Sequence, residues 1–174
     1  MKGVHREVLR KFVELAGERL RGDWVVMGGS VLPLLGVEHR VTVDIDVAGP
    51  SDAGMDQTLA LMGIAEEIGL PVEAVNQAGA YFLRAIRGWE NHLVEVHRGK
   101  GARILRPDAT LYLLLKLGRM TESDLSDCVE MLRIARRGDD RFDRRRMLGA
   151  IRRMLGRDLS DPQRRRLEAL SREV

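Results

Sequence analysis

A chain of 174 residues with 44% hydrophobic and 32% charged composition is long enough to bury a core without staples. Its single cysteine, Cys128, excludes an internal disulfide framework, and no apolar run approaches the roughly 18 residues of a membrane span. With no secretory h-region at the amino terminus, the cytoplasm is the expected compartment and no membrane partner is expected.

In chain order, periodicity predicts a first helix over residues 4–20, presenting Val4, Val8, Phe12, Leu15 and Ala16 to the core. Residues 24–27 read as a buried strand, and residues 31–35 as a short helix with Pro33 in its first turn. Gly28-Gly29-Ser30 therefore occupies a strand-to-helix turn. Glycine permits the backbone angles of such a turn and lets a ligand approach the main chain, and the exposed N–H groups with the Ser30 hydroxyl suit a triphosphate. Residues 40–47 alternate strictly, with Val41, Val43, Ile45 and Val47 on one face and Arg40, Thr42, Asp44 and Asp46 on the other. Either half alone is compatible with an ordinary turn or a half-buried strand. Two aspartates on one strand face repel each other, however, and divalent cations bridging them to phosphate oxygens give the arrangement a physical reason.

Residues 51–69 read as a helix capped by Ser51 or Asp52, with Met55, Leu59, Met62 and Ile68 inward. Strands over residues 80–86 and 91–97 flank Arg87-Gly88-Trp89-Glu90 and suggest a hairpin. Glu95 lies on the second of these, opposite in facing to Val94 and Val96 and sharing its face with His97. Pro107-Asp108 marks a boundary, dividing a core at residues 1–106 from a helical part at 107–174. Helices are expected over about 108–119, 123–137, 140–156 and 161–172, the last opened by Ser160-x-x-Gln163 in capping-box spacing. The fold class is α+β: a small mixed sheet flanked by helices, followed by a helical carboxyl-terminal part.

Two features of the helical part bear on function. Lys116 is set among Leu111, Leu113, Leu114, Leu115 and Leu117, so its ammonium must snorkel out or meet an anion. A triphosphate would serve, and so would a buried salt bridge to Asp124 and Asp127. Residues 139–174 hold eleven arginines against seven Asp and Glu, leaving the rest of the chain net negative by one although the whole is +3. The clusters at 144–146, 152–153 and 164–166 suit a nucleic-acid backbone or form a solvated face around the apolar stripe of Met147, Leu148, Ile151, Met154 and Leu155.

The segment from Gly28 to Asp46, Gly-Gly-Ser followed by Asp-x-Asp, resembles the active-site motif of the DNA polymerase β-like nucleotidyltransferase superfamily. The Arg-x-Thr-x-Asp-x-Asp wording of residues 40–46 is most similar to small bacterial members related to AbiEii-type abortive-infection toxins. The resemblance implies that Asp44 and Asp46 hold Mg²⁺ or Mn²⁺ and that Gly28, Gly29 and Ser30 hold the β and γ phosphates of an NTP. It further implies transfer of a nucleoside monophosphate to a hydroxyl on a tRNA 3′ end or a partner protein, within a toxin–antitoxin system. In that superfamily a third carboxylate follows on a later strand, for which Glu95 is the candidate, as metal ligand or general base. Arg40 reaches a phosphate or pairs with the carboxylates, Thr42 orients the aspartates, and Lys116 adds positive charge at the phosphates. The alternative to an enzyme is a non-catalytic nucleotide-binding or antitoxin-like module, which a decayed site would mark by loss of a carboxylate.

Overall fold

The structure is a computed structural model that describes residues 4–40 and 42–174. The chain forms two compact units, one of Met1–Arg87 with Leu93–Pro107 and the other of Gly88–His92 with Asp108–Val174. The class is α+β.

The first unit contains α1 (Arg6–Arg19), β1 (Gly22–Met27), a 3₁₀ turn (Gly28–Ser30), α2 (Val31–Leu34), β2 (Ile45–Ala48) and α3 (Met55–Glu67). Then follow β3 (Val75–Asn76), α4 (Ala80–Arg84), β4 (Leu93–Arg98) and β5 (Ala102–Pro107). The strands form one mixed sheet in the order β3-β2-β1-β5-β4. Central β1 runs antiparallel to β2 and parallel to β5. From one sheet face Trp24, Val26, Ile45, Val47 and Ile104 pack with Leu9, Phe12, Val13 and Ala16 of α1 and Leu61, Ile64 and Ala65 of α3. Burial of each large aliphatic side chain in this cluster contributes about 1.5–3 kcal/mol.

Four expectations need correction. The strand anticipated from residue 40 begins only at Ile45; Thr42 makes an isolated bridge to Val4, and Val43 is 54% exposed instead of inward. Val41 lies outside the described residues. In α3 the inward face is Gln57, Leu61, Ile64 and Ala65, whereas Met55, Leu59 and Met62 face solvent. This helix carries apolar side chains all round, so their spacing alone does not choose a face. Gln57 can be inward because its Oε1 accepts the Arg21 N–H at 2.8 Å. Its cap is Gly54, with neither Ser51 nor Asp52 in that position.

The third correction concerns residues 80–86, where a helix, α4, replaces the expected strand and buries Ala80 and Leu83 at i, i+3 spacing. The fourth is the hairpin itself, which joins β4 to β5 through Gly99-Lys100-Gly101. A Cβ on Gly99 would lie 2.2 Å from the Gly17 carbonyl, and one on Gly101 2.2 Å from that of Leu20. The turn therefore presses its backbone on the end of α1, a contact only glycine allows.

The second unit holds α5 (Ala109–Lys116), α6 (Glu122–Arg136), α7 (Arg144–Leu155) and α8 (Asp161–Glu173), close to the helices anticipated from periodicity. Asp108, Thr121, Asp143 and Ser160 each accept a backbone N–H at a helix start, and Ser160 with Gln163 closes the expected capping box. The stripe of α7 turns Met147, Ala150 and Ile151 inward. No helix among the described residues is long and apolar enough to cross a membrane.

Candidate active site

The candidate site lies where β1 ends and β2 begins. Register places Met27 opposite Asp46 in the antiparallel pair, so the chain leaves β1 into Gly28 directly beside the Asp46 carboxylate. Gly28 has φ +61, and a Cβ there would stand 2.4 Å from Asp46 Oδ2. Only glycine satisfies both the left-handed backbone and the close approach. At Gly29 an added Cβ would meet Thr42 Oγ1 at 3.1 Å and Arg40 Nη2 at 3.5 Å. The turn thus lies against Asp46, Thr42 and Arg40 together.

Hydroxyls hold the second aspartate by its side chain and its backbone. Thr42 Oγ1 donates to Asp44 Oδ1 at 2.9 Å, while Ser30 Oγ, fully buried, donates to the Asp44 carbonyl at 3.0 Å. These two bonds fix the chain just before β2 and explain the break in alternation: Asp44 is drawn to the turn and Val43 is left facing solvent. Thr42 thus bonds one of the two aspartates it was expected to orient. Ser30 anchors Asp44 through its side chain, so what its residue offers a ligand is backbone. The Asp44 carboxylate has no basic partner among the described residues.

Two carboxylates flanking a glycine turn form a hard oxygen donor set that fits Mg²⁺, which is commonly held by one or two carboxylates with substrate phosphates and water completing its shell. Gly28, Gly29, Ser30, Arg40, Thr42, Asp44 and Asp46 are the residues the structure brings together.

Glu95 does not join them. It sits on β4, three strand positions from β2 in the sheet order, which at strand spacing is about 14 Å. Its carboxylate receives Arg98 Nε at 3.1 Å and Arg98 Nη2 at 2.7 Å. Among the described residues no group of three His, Cys, Asp or Glu could share a metal ion. His97 lies beyond a register shift and packs on α1, where a Cβ at Gly17 would meet its Cδ2 at 2.6 Å.

Lys116, in the second unit, is 7% exposed and donates to Asp124 Oδ1 at 3.0 Å and Asp127 Oδ2 at 2.9 Å. Its ammonium lies 5.2 Å from the Tyr112 ring centroid. The anion it meets is thus this carboxylate pair, as the salt-bridge alternative anticipated. Burial alone would raise the Asp124 pKa, but hydrogen bonds from Arg119 and Thr121 and the charge of Lys116 outweigh it and hold the carboxyl well below the usual carboxylate range. Cys128, adjacent to Asp127 in sequence, is pushed up to about 12 by burial and stays a thiol.

Sequence reasoning passed over Asn76. It pairs with Asp46 across the short parallel β2–β3 ladder, which brings the β3–α4 connection to the rim of the site. A two-residue strand gives no alternation to read, and the only local signal was the turn-forming Asn-Gln-Ala-Gly run.

A family profile described as a nucleotidyltransferase of unknown function (DUF6036) matches residues 6–139. No curated protein and no solved structure matches the chain.

Proposed function

Because the chain belongs to the DUF6036 family of nucleotidyltransferases of unknown function, we propose that it transfers a nucleoside monophosphate from an NTP to a hydroxyl acceptor, with a divalent cation at Asp44 and Asp46. The observation that carries this reading is the packing of Gly28 on the Asp46 carboxylate. It puts a glycine turn able to receive phosphates in contact with a carboxylate able to receive the metal.

Mg²⁺ bound there would neutralise charge on the transferred α-phosphoryl group and the departing pyrophosphate. The backbone N–H groups of the Gly28-Gly29 turn, packed against Asp46 and Thr42, would receive the β and γ phosphates. Thr42 and Ser30 hold Asp44 in place before substrate arrives, so little reorganisation is needed on binding. Arg40, whose Nη2 lies at the Gly29 side of the turn, would add positive charge for the phosphates there. Phosphoryl transfer asks the protein mainly for such positioning and electrostatics.

The acceptor we favour is RNA, at a tRNA 3′ end, over a protein hydroxyl. Residues 144–157 carry six arginines and no Asp or Glu. Arg145, Arg152 and Arg153 are exposed and have no carboxylate partner among the described residues. A surface groove lined by Arg144, Arg145, Leu148, Gly149 and Arg152 runs along α7.

Incubation with each labelled NTP, Mg²⁺, bulk tRNA and cell lysate reads donor and acceptor together. Label is expected in tRNA, and replacing Arg145, Arg152 and Arg153 by Gln should weaken tRNA binding and flatten its salt dependence by about 0.7 per lost contact on logarithmic axes. Label in protein alone, with tRNA affinity unchanged in that variant, would move the acceptor to a polypeptide. Label in neither would count for a non-catalytic nucleotide-binding module.

A further inference from the structure

Of the seven aromatic residues, Phe12, Trp24 and Tyr112 are buried, Trp89 and Phe142 are half-buried, and only Tyr81 and Phe82 are exposed, at 77% and 63%. They are neighbours on α4, packed edge to face with ring centroids 5.6 Å apart and planes at 82°. Their partners on the same short helix, Ala80 and Leu83, are buried, so α4 is anchored while its two rings stand in solvent. Two adjacent aromatic rings left in water forgo most of the burial such side chains ordinarily gain.

The place of α4 gives them a use. Gly79, immediately before the helix, lies so close to Met27 that an added Cβ would be 2.3 Å from Met27 Cε. Met27 is both the residue before Gly28 and the register partner of Asp46. Asn76, three residues before Gly79, pairs with Asp46 from the other side. At the far end of α4, Arg84 Nη2 donates to the Gly49 carbonyl at 2.7 Å, tying the helix to the end of β2. The start of α4 is thus fixed at the carboxylate end of β2, with the two rings on its first turn.

We propose that Tyr81 and Phe82 form a stacking platform for the base of the bound nucleoside triphosphate, one ring presenting its face to the base and the other, nearly perpendicular, bracing that ring edge-on. The inference rests on the phosphate and metal reading of Gly28, Gly29, Asp44 and Asp46. With the α-phosphoryl group at the aspartates, the base is one ribose away, and the first turn of α4 is an aromatic surface anchored beside the register partners of Asp46. Stacking uses the π-face common to every base, so the platform supplies affinity with weak discrimination, purines binding better than pyrimidines because they cover more ring.

The test compares two probes, each of the four NTPs and inorganic triphosphate, titrated in Mg²⁺ against the wild type, the Tyr81→Ala/Phe82→Ala variant and Asp46→Asn. Loss of one stacked base typically weakens binding about tenfold to a hundredfold. The double alanine variant is therefore expected to lose that much NTP affinity and to bind inorganic triphosphate like the wild type, while Asp46→Asn loses both. A Tyr81→Trp/Phe82→Trp variant should keep NTP affinity. NTP affinity unchanged in the alanine variant, or equal losses for both probes there, would overturn the platform and leave the phosphate site standing. Failure of the wild type to bind inorganic triphosphate in Mg²⁺ would instead overturn the phosphate site, and the platform with it.

Discussion

Each unit of this protein contains a pair of aspartates close in sequence, and the pairs differ in burial and in what meets Asp124 and Asp44. Asp124 and Asp127 are buried at 1% and 4% exposure and share the Lys116 ammonium, with Arg119 and Thr121 adding hydrogen bonds to Asp124. Asp44 and Asp46 are half-buried, and the carboxylate of Asp44 meets a neutral hydroxyl instead of a cation. Carboxylates whose charge is already compensated in the fold act as structure. A carboxylate that, like that of Asp44, is held by a neutral hydroxyl at the edge of a glycine turn keeps its charge for something that arrives.

The comparison breaks most readily at Lys116. Lys116→Met should remove the ammonium the two buried carboxylates share, Asp124 keeping its Arg119 bonds, and destabilise the fold by about 3–5 kcal/mol, read from urea or thermal denaturation. Nucleotide binding below the new melting temperature should persist. Loss of NTP affinity with stability intact would return Lys116 to the phosphates. The same cluster sets an acid limit. Because the Asp124 pKa is depressed in the fold below its ordinary 3.8, the stability it contributes is fully present above about pH 4 and is lost as pH falls further. Wild-type unfolding should therefore steepen below that point.

A smaller effect on stability sharpens the other side. Gly28→Ala forces an alanine into left-handed backbone, at about 1–2 kcal/mol, and drives its methyl into the Asp46 carboxylate. Gly69→Ala has the same backbone problem, with φ +75, but nothing lies within 4 Å of the added methyl. Gly28→Ala should lose at least as much stability as Gly69→Ala, and only Gly28→Ala should lose Mg²⁺-dependent NTP affinity, by about tenfold or more if the carboxylate moves out of ligating position. Equal affinities would detach the turn from the site.

These contrasts also mark what the sequence could disclose. The glycine turn and the Asp-x-Asp pair were legible because close packing and charge repulsion restrict residue type, and the helices of the second unit because amphipathic spacing and caps recur every few residues. Residues 80–86 were not legible as a helix, since seven mostly apolar residues suit a strand as well as two turns. Nor was the inward face of α3, whose Leu and Met residues surround the axis while a glutamine takes a buried position through one backbone bond. Glu95 shows a different failure. Alternation gives a strand residue its face, but not its place in the sheet. Strand order, which puts β1 and β5 between β2 and β4, is set by long-range pairing.

The central claim is that Asp44 and Asp46 together hold the metal that binds the triphosphate. Calorimetric titration of each NTP into the wild type and the Asp44→Asn/Asp46→Asn variant, in Mg²⁺ and in EDTA, tests it most directly. Binding is predicted in the wild type only with Mg²⁺, and not in the variant under either condition, with the unfolding midpoint of the variant close to that of the wild type. Undiminished Mg²⁺-dependent binding in the double variant, or wild-type binding that is the same in EDTA, would contradict the account.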